Sequence, residues 1–457
     1  MGAETEITYA VSRGLPGIGN ILPMARSALA FVTEMQRLGD MVETWVLNDH
    51  MVVVTHPALA EQTLLRNAAI MQKDWFLRDL KRIIGEGLLS SEGDFWKRQR
   101  RLAQPAFHRE RIAGYATVMV ERAAAVADEW RAGEHRDVHP DFMRTTLDVV
   151  GRTLFGASVD VAHRVEPALD AIMHWYGTPF LVGNPLAMKL PLPAARAFHD
   201  AKRTLDEVIL GIIEARRRKP DPDADDLLAM LLAAQDEDGS RMTDTQVRDE
   251  VMTLFLAGHE TTALALSWTA WLLATHPAAQ RALRDELATV LGDRDPTLED
   301  MPRLRFTEAV VKESMRLYPP AWAIGRESTA PFELGGRRFG PRTQVWVNSY
   351  GMHRDGRYFT NPLAFTPERW MDGLDKRLPK FAYIPFGGGP RVCIGNTFAM
   401  MEAVLMLATF ARRWSFAPAP DARVEARPSI TLRPRYGVKL TLSRHEARPM
   451  AEAAPAE

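Results

Sequence analysis

The chain has 457 residues, 46% hydrophobic and 25% charged, with a formal net charge of −1 and one cysteine. This composition is that of an ordinary soluble globular protein and gives no reason to expect nucleic-acid binding. One cysteine excludes an internal disulfide and suits a reducing, cytoplasmic setting. Residues 1–13 carry Glu4 and Glu6 and no apolar run, so neither a signal peptide nor a membrane anchor is expected there. Residues 15–20 form a rigid lead-in whose glycines do not complete a dinucleotide fingerprint. Residues 25–38 read as a helix, 42–47 and 51–55 as a hairpin, and 57–66 as a helix opened by Pro57. Residues 67–93, with Trp75, Phe76 and Leu77, read as a long irregular connection of the kind that is usually functional or mobile.

The next helix carries Trp96-Lys-Arg-Gln-Arg-Arg101, with Trp96 and Arg100 on one face and Lys97 and Arg101 on another. Alone, it reads as a solvated basic helix. Further helices are predicted at about 112–132, 140–155, 165–177, 195–218 and 226–235. Residues 178–193 are apolar and proline-rich, fitting either a helix–helix connection or a cavity roof. Residues 243–276 read as one long helix, on the order of 45–50 Å by rise per residue. Ala257-Gly-His-Glu-Thr-Thr262 lies near its centre and argues against a membrane span. A glycine in mid-helix costs about 1 kcal/mol and so needs a reason, such as a ligand pressing on the backbone. A helix at about 305–317 carries Glu313 and Arg316 and ends at Pro319-Pro320, after which residues 321–325 read as extended chain and 327–347 as short strands. Residues 415–443 read as small β structure. No internal repeats are evident.

The lone cysteine decides the function. Such a residue is most often a small buried hydrophobe. Cys393, however, stands between the glycine-rich run Gly387, Gly388, Gly389 and an apolar helix from about 394 to 412. The glycines let backbone lie close to a flat ligand. A helix N-terminus lowers a thiol's pKa. A thiolate held by backbone amides suits an axial haem ligand, and Arg391 stands where it can pair with a propionate.

Phe386, Gly389, Arg391, Cys393 and Gly395 match the pattern F-x-x-G-x-R-x-C-x-G at every specified position, and through them the chain resembles the cytochrome P450 family. The likeness extends over about residues 40–440. It implies a mainly α fold, a helix-rich triangular domain with a small β-rich side, as one domain over residues 1–443 with a disordered tail at 444–457. Haem b would lie between the long central helix and the helix after the cysteine loop. Cys393 would ligate iron, with Trp96, Arg100, Arg326 and Arg391 on the propionates and Phe386, Gly387, Gly395 and Ala257 against the ring. Ala257-Gly-x-Glu-Thr261 resembles the family's oxygen-activation segment: Thr261 would hydrogen-bond dioxygen and Glu260 relay protons, unless Glu260 is a buried acid paired structurally with arginine. Glu313, Arg316 and Arg369 resemble a core-building network, with Trp370 where the family more often has phenylalanine.

The implied reaction is monooxygenation of an apolar guest: a fatty acid, terpenoid, macrolide or aromatic, with the first two favoured. The expected lining is Trp75, Phe76, Leu77, Trp175, Phe180, Met252, Phe255, Leu256, Ala323, Ile324 and Leu432. Lys73, Arg78 or Arg82 would anchor a carboxylate, though each also reads as a surface charge. Electrons would come from a ferredoxin or flavodoxin with its NAD(P)H reductase, docking on Lys97, Arg98 and Arg101, and the enzyme is expected to be a cytoplasmic monomer. The competing readings are peroxide-driven or isomerase chemistry on the same fold, a haem sensor or carrier, and an unrelated helical protein with a buried cysteine.

Overall fold

The computed structural model describes residues 7–156, 162–178, 181–182, 185–221, 224, 226–234, 239 and 241–445. Its axis is the central helix Asp244–Thr275, capped at Thr243 by a reciprocal box with Gln246 and buried along most of its length. A helix apolar on nearly every side belongs inside a large protein. It packs on Val138–Phe155, Pro193–Arg218, Arg305–Leu317 and Asn396–Arg413. Gly258 sits at the crossing with Val138–Phe155, where an added Cβ would come within 3.1 Å of Val150 Cγ2. Helix packing therefore supplies a reason for this mid-helix glycine.

The β side is a six-stranded mixed sheet. Tyr9–Ser12, which the sequence reading left outside any strand, pairs parallel with Met41–Val46. Met41–Val46 and Asp49–Val54 form the expected hairpin, turning at Leu47 with φ 54. Gln344–Val347 adds in parallel, followed antiparallel by Ile324–Ser328 and Met71–Lys73. Near the C-terminus, Trp414–Pro418, Lys439–Arg444 and His135–Asp137 form a smaller sheet. Arg444, expected in the disordered tail, thus belongs to a strand, and residues 446–457 lie outside the described residues.

Residues 67–93 are not irregular. They hold the strand Met71–Lys73 and the short helices Trp75–Asp79 and Lys81–Ile84. Elements of three to five residues are too short to show a period and depend on tertiary support. Asp74 caps the first helix by accepting from Leu77 N at 2.9 Å. The helix Pro277–Leu291 was also absent from the sequence reading.

The cysteine loop rests on a buried charged network. Both carboxylate oxygens of Glu313 accept from Arg316 at 2.8 Å, and Arg369 Nε adds a third bond at 3.0 Å. Arg316 also donates to the carbonyls of His353, Pro362 and Ala364. Trp370, which the motif comparison marked as a mild departure, donates from Nε1 to Glu313 Oε2 at 2.9 Å. The substitution therefore adds a partner to the network. His353 Nε2 and Tyr383 carry the support onward, bonding Ile384 N and Lys312 O just before the glycine run.

Candidate functional site

One cavity of about 400 Å³ lies between the central helix and the cysteine loop. Cys393 opens onto it three residues before the helix Asn396–Arg413, its own N–H donating to Phe386 O at 2.9 Å. The thiol is exposed towards the cavity yet enclosed by protein on its other sides. Burial pushes its pKa up, and the Gly395 N–H and the Arg100 charge pull the other way. The expectation that the helix N-terminus lowers this pKa is thus corrected: burial outweighs the backbone N–H and the nearby charge. A metal bound at Cys393 would complete the deprotonation, since a coordinating thiol binds as thiolate.

The three glycines divide their work. Gly387, at φ 74, borders the cavity with only Ile324 Cδ1 at 3.8 Å from a notional Cβ. Gly389, at φ 67, instead meets Leu64 O at 1.9 Å, and Gly388 meets Phe381 at 2.4 Å. Two of the three are therefore needed for chain packing, and one for the cavity.

At one end of the cavity four cations converge: Lys73, Arg100, Arg326 and Arg391. Arg391 pairs with Glu92, donates to Ser91 O at 2.9 Å and stacks 3.8 Å over the Trp96 ring. Arg100 donates to Val392 O at 2.7 Å, and Arg326 to Gly325 O at 2.8 Å. Lys73, read from sequence as a surface charge, is 7% exposed, and burial with Arg326 and Arg391 nearby holds its pKa well below the ordinary lysine value. Buried cations in this number need anions. A flat dianionic tetrapyrrole would fit the donor set: Cys393 would hold its metal and the cations its carboxylates, and Phe386, Gly387, Gly395 and Ala257 line the same cavity.

On the opposite wall, Thr261 is partly exposed to the cavity and donates to Ala257 O at 2.8 Å. Glu260 is buried, and its Oε1 accepts from Thr431 Oγ1 and Arg433 Nε, each at 2.7 Å. Burial pushes its pKa up, but the Arg433 charge, these hydrogen bonds and His259 outweigh it and hold the carboxyl below the usual range. Sequence spacing left open whether Glu260 is a relay or an acid paired with arginine. It borders the cavity and is also paired with arginine.

The guest-facing wall differs from expectation in an instructive way. Leu77, Leu256, Ala323 and Ile324 line the cavity as expected. Trp175 packs on Phe198, Phe255 on Phe155, and Trp75 and Phe76 on one another, with Phe76 also against Tyr176. Met252 is fully buried in the core, and Leu432 turns inward, its carbonyl accepting from Trp268 Nε1 at 2.9 Å. Phe180 lies outside the described residues. In place of the aromatics stand Leu169, Ile172 and Met173 from the helix Ala162–Tyr176, Leu80, Ile83 and Ile84, and Ile430. Arg78 and Arg82 are engaged by Glu327 and Asp79 and do not reach this wall.

Glu402 has no sequence signal. It sits on the helix after the cysteine loop, fully buried beside Thr262, and neither carboxylate oxygen meets the geometry of a hydrogen bond. Burial raises its pKa to about 8, the Thr262 hydroxyl pulling only partly back.

A family model for Cytochrome P450 matches residues 11–442. The chain is 40% identical over 425 residues to "Cyclooctatin synthase" of Streptomyces melanosporofaciens, covering 92% of each. It is 33% identical to "Pentalenene oxygenase" of Streptomyces avermitilis, covering 93% of this chain and 94% of the relative. "Cyclooctat-9-en-7-ol 5-monooxygenase" of Streptomyces melanosporofaciens is 32% identical, covering 89% of each chain. Among the described residues no helix is long and apolar enough to cross a membrane. With the thiol, the cation cluster and the Glu260–Thr261 wall enclosing one cavity, this chain is a haem-thiolate monooxygenase and belongs to the cytochrome P450 family.

Proposed function

We propose that the enzyme oxygenates a neutral, alicyclic terpenoid, by hydroxylation or epoxidation. The observation that carries this reading is the guest-facing wall, where leucine, isoleucine, methionine and alanine predominate and every lining cation lies at the propionate end. Such a wall offers shape and burial, worth about 25 cal/mol per Å² of apolar surface, and no anchor for a carboxylate. That disfavours a fatty acid held by its head group. The relatives named for cyclooctat-9-en-7-ol and pentalenene act on cyclic terpenoids, which agrees.

Haem b, when bound, would supply the oxidising chemistry: with two electrons and two protons, one atom of O2 would enter the substrate and the other leave as water. Cys393 would supply the thiolate, and Trp96, Arg100, Arg326, Arg391 and Lys73 would hold the propionates. Thr261 offers a hydroxyl on the cavity side of the central helix, and Glu260 is the acid that replenishes its proton. The apolar wall excludes water that would otherwise divert protons.

Electrons arrive from a ferredoxin or flavodoxin with its NAD(P)H reductase. It docks on the helix Gly93–Ala103, where Lys97 is exposed and paired only at the surface with Asp94. Charge reversal at Lys97 that left reduction unchanged at low salt would count against this docking. The protein is read as a cytoplasmic monomer.

A spectral-shift screen tests the substrate class, since displacement of iron-bound water reports binding without a redox partner. Cyclic terpenoids should shift the spectrum where fatty acids of similar size do not. Tighter binding of the fatty acids would overturn the assignment.

A further inference from the structure

Glu260 is tied to the protein surface through one guanidinium. Arg433, in the strand Leu432–Pro434, donates from Nε to Glu260 Oε1 and from Nη1 to Asp170 Oδ1, each at 2.7 Å. The Asp170 side chain is 75% exposed, that of Arg433 12% and that of Glu260 5%. The pair of bonds therefore runs from solvent to the cavity wall. It also joins three elements: the helix Ala162–Tyr176, the C-terminal hairpin and the central helix.

The surroundings leave Arg433 as the full positive charge facing Glu260. His259, on the same helix, and His139, on Val138–Phe155, are both pushed down to about 4 by burial and are neutral at physiological pH. Thr431 donates to the same Oε1, and among the described residues Oε2 has no hydrogen bond. Arg433 Nη2 and His259 Nε2 are buried without partners in this cluster. A guanidinium does not give up its proton in a protein, so Arg433 cannot relay one. It can only stand in the way or step aside.

We propose that Arg433 is a positioning residue that gates proton entry to Glu260. Docked on the carboxylate, it keeps Glu260 ionised and closes the route to solvent. Held by Asp170 alone, it opens that route, and one proton passes from water at the Asp170 rim to the Glu260 carboxylate without electron transfer. Asp170 is thus the outer resting partner of a swinging side chain. This rests on the reading of Glu260 as the acid that serves Thr261.

The test uses haem-loaded Arg433→Gln, Arg433→Lys and Asp170→Asn. In resting protein, the infrared band of a protonated carboxylic acid is assigned to Glu260 by its loss in a Glu260→Gln background. At neutral pH this band should be absent in the wild type, present in Arg433→Gln and absent again in Arg433→Lys. In turnover, Arg433→Gln should lose the solvent deuterium isotope effect, and Asp170→Asn should enlarge it. An Arg433→Gln protein with wild-type band and isotope effect overturns the proposal. If that variant does not load haem, Asp170→Asn decides, and an unchanged isotope effect overturns the gate. A Glu260→Gln enzyme that couples like the wild type would instead sink the role of Glu260 itself.

Discussion

Replacing Glu402 by glutamine should change how the stability of the enzyme depends on pH. In the folded protein the carboxyl titrates at about 8, against 4.5 for the unfolded chain. Between these values the unfolded chain releases a proton that the folded protein keeps, so raising the pH favours unfolding. The gap corresponds to at most roughly 5 kcal/mol, at about 1.4 kcal/mol per pH unit. Glutamine has the same shape and does not titrate. Glu250, also raised to about 8, is present in both proteins and cancels. Urea unfolding of haem-loaded wild type and Glu402→Gln, at a series of pH values from about 5 to about 8, gives the difference directly. The wild type should lose stability relative to the variant by several kcal/mol as the pH climbs through this window. Parallel curves would show that Glu402 ionises normally and that the burial argument is wrong.

Four further outcomes are expected. Arg316→Leu leaves Glu313 charged and buried with one partner fewer, and should cost about 3–5 kcal/mol in unfolding experiments, with haem lost before the chain melts. Gly389→Ala combines φ 67 with a Cβ at 1.9 Å from Leu64 O, and should abolish the absorption spectrum of the loaded enzyme. Thr261→Ala should keep the substrate-induced spectral shift while sending reductant to peroxide, measured by product formed per NAD(P)H consumed. Ile172→Phe should weaken binding of bulky ligands by narrowing the cavity, whereas Trp175→Phe should leave binding intact and lower the melting temperature.

The parts legible in the sequence are those encoded over a few residues. Cys393 with its glycines, Trp96 with Arg100, Glu260 with Thr261 and Glu313 with Arg316 each sit within about a turn or a tight loop, so spacing alone relates them. Facing across the fold is another matter. The helix Ala162–Tyr176 is apolar on more than one side, and hydrophobicity cannot say whether Trp175 or Ile172 meets the cavity. Trp175 and Phe255 filled the joints between helices, where they are fully buried, and left the wall to smaller aliphatics. Lys73 looked like any exposed lysine because the neighbours that bury it come from residues 326 and 391. Arg433 and Glu260, 173 positions apart, share no local pattern at all.

The four converging cations have a consequence for biogenesis. Lys73, Arg100, Arg326 and Arg391 belong to segments far apart in the chain, and each is brought to the same place only when the sheet, the basic helix and the cysteine loop have docked. Without a dianion between them, their repulsion falls on those very joints. Acquisition of the pigment should therefore be a late step of maturation that locks these segments together. The yield of active enzyme in a producing cell should follow its supply of tetrapyrrole precursor, with the unloaded chain falling first to proteases.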